Sequence, residues 1–257
     1  MAEQNAAIFS SLNDYFDHVY VLTLTHATDR QENVKKELAG LNWSFFYGTD
    51  KKTLDMQTLE RDGIYDDAEH KSTKRTHRSM NLGEVACSLS HKRMYQDMLD
   101  NGYKRVLIME DDVLPVPEQL ARFNEIVKQL PNDWELLMLG YYGHKLAKPF
   151  YKAQVSLYTL FHHLSLFNWG NVSKNWIDNI IMDDYSEDLF EIGKVLGTHA
   201  YAITDEAAKK FIDYQTPVKL QADRIFNYYK SERPLKGFAV KRPVFTLSEL
   251  SKVSYIQ

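Results

Sequence analysis

Three consecutive carboxylates, Glu110, Asp111 and Asp112, follow directly on the apolar run Val106 to Met109. A short, continuously apolar run is the pattern of a strand buried on both faces. The carboxylates then stand at its C-terminal end, where open α/β sheets bind ligands. An extended backbone would put Glu110 and Asp112 on one face and Asp111 on the other. Adjacent carboxylates repel one another, and a divalent cation relieves that repulsion. Oxygen ligands alone suit a hard ion such as Mg2+ or Mn2+. The same residues, followed by Val113, Leu114 and Pro115, also read as an acidic turn ahead of the next helix.

Other residues could do chemistry beside them. Arg30 lies just past an earlier strand, placed to meet a nucleotide phosphate or base, or else to sit solvated at a helix N-terminus. His91 falls on one stripe with Cys87, Met94 and Met98, which turns it inward as a hydrogen-bonded structural histidine or, alternatively, a catalytic one. The basic stretch His70 to Arg78 could fold over a diphosphate or an anionic acceptor, or remain a solvated loop.

The elements that must position these groups are legible in part. Ile8 to Phe16 reads as a short leader helix. Val19 to Leu24 reads as a strand, Asp29 to Leu41 as a helix and Trp43 to Gly48 as a second strand. This is a β-α-β unit, with parallel strands and a right-handed crossover, able to hold a nucleotide at its strand ends. Asn81 and Glu84 have capping-box spacing, and that helix closes at Asn101-Gly102. Pro117 opens a helix burying Leu120, Phe123, Val127 and Leu130. Trp134 to Gly140 is another strand. Tyr141 to Ile192 is aromatic-rich with broken periodicity, readable as an acceptor lobe or a hydrophobic subdomain. It includes a helix over Val172 to Met182 and a solvated acidic turn at Asp183, Asp184, Glu187 and Asp188. Gly197 to Thr204 reads as a strand running into a helix capped by Thr204. Asp223 opens a helix through Tyr229, and Gly237 to Phe245 is the last strand.

The totals narrow the class. With 257 residues and 44% apolar content, the chain can build a sizeable core in one α/β domain or one domain with an added lobe. A net charge of −4 argues against broad nucleic-acid binding. The single cysteine, Cys87, excludes an intramolecular disulfide and fits a reducing compartment. The N-terminus lacks the basic start and apolar core of a signal peptide, and no stretch approaches a membrane span. The expected setting is the cytoplasm, with room for peripheral association at the inner face of a membrane.

Five segments together resemble glycosyltransferase family 25, which includes bacterial lipopolysaccharide galactosyltransferases and procollagen galactosyltransferases. They are V-Y-V-L-T-L with Asp29-Arg30, G-E-V-A-C-S-L-S-H (Gly83 to His91), L-I-M-E-D-D-V, G-T-H-A-Y-A-I-T and P-V-x-x-x-A-D ending at Asp223. The likeness runs from about Val19 to Val244. Ala86 departs from the family's usual glycine, and Thr25 to Thr28 lacks the usual basic residues. The resemblance implies an α/β fold of GT-A type: a Rossmann-like nucleotide-binding sheet over about residues 18–112 and an acceptor-binding half over about 113–245, in one domain. It implies a metal-dependent inverting transfer of a hexose, galactose from UDP-galactose, onto a glycan such as lipopolysaccharide or lipooligosaccharide. Asp112 would ligate Mn2+ or Mg2+, with Asp111 or Glu110 contacting the ion or the ribose. Arg30, Ser90 and His91 would join Glu110 and Asp111 around the donor.

Inversion also needs a base on the acceptor side. Asp223 is the first candidate, and His199 and Asp205 are the fallbacks. A sugar nucleotidyltransferase is the competing enzyme class, but it would carry a Gly-rich loop where this chain has T-H-A-T-D-R. A non-catalytic homologue would be marked by loss of the acidic motif, which is intact here.

Overall fold

The computed structural model describes residues 2–72, 78–143 and 148–252. Helix α1 (Ala2–Tyr15) leads into β1 (His18–Thr23), α2 (Thr28–Glu37) and β2 (Ser44–Tyr47), and two short helices follow, α3 (Met56–Arg61) and α4 (Asp67–Ser72). Next come α5 (Leu82–Asp100), β3 (Arg105–Glu110), β4 (Val113–Pro115), α6 (Pro117–Leu120), α7 (Phe123–Val127) and β5 (Leu136–Gly143). The lobe is α8 (Lys148–His163) and α9 (Lys174–Asp178). Strands β6 (Asp183–Asp184), β7 (Leu189–Glu191) and β8 (Val195–Thr204) precede α10 (Asp205–Tyr214) and α11 (Ile225–Glu232), and β9 (Gly237–Val240) and β10 (Phe245–Leu247) end the order.

Eight strands form one mixed sheet in the order β2-β1-β3-β8-β5-β9-β7-β6. Strands β2, β1 and β3 are parallel, so the expected β-α-β unit is present, and β8 runs antiparallel between β3 and β5. The architecture is the α/β, Rossmann-like sheet that the sequence implied. Alternation in β3 explains its apolar run. Val106 and Ile108 pack with α5, α10 and α11 on one face, while Leu107 and Met109 pack with α1 and α2 on the other. Both faces are covered, so the strand needs no polar residue until its end.

Helix α5 starts as its spacing predicts: Asn81 accepts the Glu84 amide at 2.9 Å, and the Glu84 side chain accepts the Asn81 amide at 2.9 Å. Other expectations need correction. The helix from Pro117 is broken into α6 and α7, with Ala121 and Arg122 between them. The helix over 172–182 shrinks to α9, capped by Ser173. The last strand ends at Val240, and Phe245–Leu247 pairs instead with β4 in a separate two-stranded ribbon. The acidic turn is not wholly solvated. Asp183 and Asp184 form edge strand β6, and buried Asp188 accepts hydrogen bonds from Arg122 and Gln129. Two donors on other elements make burial of that carboxylate affordable.

Candidate active site

Strand β3 ends at Glu110, and Asp111 and Asp112 form the turn into β4. The alternation expected of an extended triplet therefore stops after Glu110. Asp111 and Asp112 are only 5% and 6% exposed, so each needs partners. Arg30 Nη1 lies 2.6 Å from Asp111 Oδ1 and 3.2 Å from Asp112 Oδ2. Thr23, the last residue of β1, donates its hydroxyl to Asp111 Oδ2 at 2.6 Å. Both Asp111 oxygens are thereby held. Arg30 Nη2 also donates to the Leu250 carbonyl at 3.0 Å, and the Ser248 amide donates to the Asp112 carbonyl at 2.7 Å. The C-terminal segment is thus tied to the acidic turn. Arg30 is buried, which rules out the solvated helix-terminal arginine.

Glu110 has a different partner. Thr198 on β8 donates its hydroxyl to Glu110 Oε1 at 2.5 Å. Burial, with Asp112, Asp111 and Asp223 nearby, pushes the Glu110 carboxyl up to about 7, against the opposing hydrogen bond from Thr198. Burial also raises Asp112, and the Arg30 guanidinium opposes that rise. Two carboxyls that resist ionisation side by side are what a divalent cation relieves.

The donor set can be tested against such an ion. Asp112 Oδ1 is buried with no hydrogen-bond partner among the described residues. Together with Glu110 it offers carboxylate oxygen to a hard cation, whereas Asp111 is committed to Thr23 and Arg30. Among the described residues no cluster of three or more His, Cys, Asp or Glu side chains converges on one point. Among the described residues, then, the side chains alone do not complete a coordination shell.

The opposite wall comes from β8 and the stretch before α11. Gly197 has a φ of +78°, and a Cβ there would stand 2.4 Å from His199 Cε1. Only glycine suits this position. Its amide donates to Asp223 Oδ2 at 3.1 Å, and Arg224 Nε lies 3.8 Å from Asp223 Oδ1. The helix expected to open at Asp223 begins instead at Ile225 behind Arg224, and the Asp223 carboxylate turns to the Gly197 amide. His199 packs its ring edge-on against Tyr142 with centroids 4.5 Å apart. Burial pulls His199 down to about 4, against the opposing charge of Asp223, so its imidazole is neutral at pH 7. Between the walls lies a cavity of about 390 Å³ lined by Arg30, the acidic triplet, His199 and Asp223 among others. That volume is of the order of a small-molecule site.

Not every candidate reaches the cavity. Ser90 does, but its hydroxyl accepts the Thr49 amide at 2.8 Å and donates to the Ala86 carbonyl at 2.7 Å, so it fixes the wall at Gly48-Thr49. His91 lies behind the wall, where its Nδ1 shares a 2.6 Å hydrogen bond with the Tyr201 hydroxyl, which in turn meets Tyr95 at 2.8 Å. Burial drives His91 down to about 3. Asp205 opens α10 and pairs with Lys104 away from the cavity, which removes it as a base. Residues 73–77 of the basic stretch lie outside the described residues; its ends are anchored, His70 donating to the Lys219 carbonyl and Arg78 pairing with Glu84. Thr23, Thr198 and Tyr142 were missed. Thr23 and Thr198 fall inside segments that carry the family resemblance, but nothing in their type marks the carboxylates they serve, and Tyr142 carries no sequence signal.

The profile of Glycosyltransferase family 25 (LPS biosynthesis protein) matches residues 16–226 and so spans every one of these groups. The chain belongs to glycosyltransferase family 25. A family 25 member of Anopheles gambiae is 27% identical over 79% of this chain and 30% of its own length. Procollagen galactosyltransferase 1 of Danio rerio is 26% identical over 52% of this chain and 23% of its own. The Rattus norvegicus protein named Probable inactive glycosyltransferase 25 family member 3 is 28% identical over 49% of this chain and 23% of its own. The chain therefore spans less than a third of the length of these relatives.

Proposed function

We propose that this chain transfers a hexose, galactose from UDP-galactose, onto a hydroxyl of a glycan acceptor with inversion at the anomeric carbon. The observation that carries the reading is the meeting, across one cavity, of a buried acidic strand end holding an unpartnered Asp112 oxygen and a separate carboxylate, Asp223. Family membership supplies the reaction class. The acceptor is a lipopolysaccharide or lipooligosaccharide in this reading, and the work is done in the cytoplasm.

The parts divide as follows. Asp112 and Glu110 would hold a divalent cation, and Asp111 stays locked to Thr23 and Arg30 to keep the turn rigid. Bound there, Mn2+ or Mg2+ neutralises the charge that grows on the leaving diphosphate. Arg30 adds a second positive charge beside that group. Asp223 takes the proton of the acceptor hydroxyl while that oxygen bonds to the anomeric carbon and the bond from that carbon to the diphosphate oxygen breaks. His199, neutral beside Asp223, is the alternative acceptor of that proton.

Because one relative is named as inactive, a binding-only chain is the reading to exclude. The experiment is incubation with a panel of UDP-sugars and Mn2+, scoring UDP against pyrophosphate. UDP release from UDP-galactose supports transfer. Pyrophosphate release would replace the proposal with nucleotidyl transfer, and donor binding with neither product would leave a binding module.

A further inference from the structure

The sequence from Tyr141 to Met182 carries four lysines, three histidines and a single acidic residue, Asp178, in a chain whose net charge is −4. Asp178 is itself paired with Lys174 at 2.6 Å. At the centre of this stretch is α8, which contains no acidic residue at all. Its inner side packs Tyr151, Val155, Tyr158 and Phe161 on the core. Its outer side is apolar too. Phe150, Ala153, Leu157, Leu160 and Leu164 recur at three- and four-residue intervals, so they form one outward stripe. Phe150 is 69% exposed, and Leu157, Leu160 and Leu164 are 46%, 51% and 57% exposed.

The turn that follows extends the stripe. Phe167 is 69% exposed and has a φ of +50°, between Ser165 at +52° and Asn168 at +60°. A bulky residue in the left-handed region is strained, by about 1–3 kcal/mol as a class. Its ring rests edge-on against Phe161 with centroids 5.4 Å apart and still leaves most of its surface to solvent. Exposed Lys152 flanks the stripe. A helix with a continuous apolar outer face, an exposed Lys152 beside it, an exposed His163 at its end and no acid has the make-up of one that lies in a membrane interface.

We propose that the outer face of α8, extended by Phe167, docks this protein on an anionic lipid bilayer surface. Charge selects the bilayer over a second copy: a two-fold pair through this stripe would set one acid-free, lysine-bearing helix against another, whereas a bilayer offers anionic headgroups and acyl chains together. The proposal does not rest on the reaction proposed above.

The test is cosedimentation of the whole chain with vesicles of phosphatidylcholine alone or mixed equally with phosphatidylglycerol, alongside sedimentation velocity without lipid. The parent chain should pellet with the phosphatidylglycerol vesicles and remain monomeric without them. Leu157→Gln with Leu160→Gln should weaken that binding by about tenfold or more, the scale of two leucines kept out of an apolar phase, with an unchanged circular dichroism spectrum. Phe167→Ser provides a second variant outside the helix, with the same direction expected. Lys152→Glu should weaken binding to the mixed vesicles. A parent chain left in the supernatant would overturn the proposal, as would equal binding to both vesicle types or by all variants. Self-association of the parent that the leucine variants abolish would also overturn it and assign the stripe to a second copy.

Discussion

The acidic strand end and the α8 lobe solve opposite problems with opposite materials. At the strand end, charged groups are buried and nearly every oxygen is held: Asp111 by Thr23 and Arg30, Glu110 by Thr198, Asp223 by the Gly197 amide. Asp112 Oδ1 is buried there without a hydrogen-bond partner among the described residues, which is the place the proposal above gives to a cation. In the lobe, apolar groups are exposed, Phe167 on its strained turn among them. One region places polarity inside and satisfies it; the other places apolarity outside and leaves it open. The difference is why the first region carries the proposed chemistry and the second the proposed docking face.

The sharpest way to break that comparison is to remove the cation at its centre. Arg30→Met leaves Asp111 and Asp112 buried without their guanidinium, and breaking a buried pair of this kind costs about 3–5 kcal/mol. Urea denaturation should show a loss of that order. A loss below about 1 kcal/mol would mean the turn behaves as a solvated surface pair.

Next in size is Asp223→Asn, which keeps an oxygen for the Gly197 amide. Transfer should fall at least about a hundredfold, the scale of general-base loss, with donor affinity and melting temperature near the parent's. Transfer within a few-fold of the parent would move the role to His199.

A smaller, pH-dependent effect belongs to His91. Its folded value lies near 3, below the ordinary 6.5. Above pH 6.5 the ring is neutral in both states and its contribution is complete. Below that, the unfolded chain takes up a proton that the folded chain refuses until about pH 3, so stability is lost as pH falls. The slope from this group is up to about 1.4 kcal/mol per pH unit. Denaturation of the parent and His91→Asn between pH 4 and 6 should show the variant missing that increment. Parallel curves would mean that His91 takes up its proton in the folded state as well.

The smallest effect is the most informative about the lobe. Leu160→Gln should change stability by no more than about 0.5 kcal/mol, as surface substitutions do. A loss above about 2 kcal/mol would show that the stripe is packed core rather than surface.

What the sequence made legible follows from how local each cause is. The β1-α2-β2 unit, the β3 run and the α5 capping box are written in neighbouring residues, and all three form. Asp111 and Asp112 could be found from their types, but not their partners, since Thr23 and Arg30 reach them from 88 and 81 residues away. Asp223 is legible as a carboxylate at a helix start, a position where residue type alone does not separate a cap from a base. Its actual partner, the Gly197 amide, becomes available only once Gly197 adopts a positive φ. Strand β10 was merged into its predecessor because pairing with β4 is a long-range fact. In the lobe, apolar residues on both faces of α8 erase the single-sided period that makes a helix readable.

The central claim is that the acidic strand end binds a nucleotide-sugar donor through a divalent cation held by Asp112. Calorimetric titration of UDP-galactose into the parent chain and into Asp112→Asn, each with Mn2+ and with chelator, tests it most directly. The account predicts tight binding only for the parent with Mn2+, and binding weaker by at least about a hundredfold in the other three combinations, as for loss of a close charge-paired contact. Equal donor affinity in chelator, or undiminished Mn2+-dependent affinity in Asp112→Asn, would contradict it.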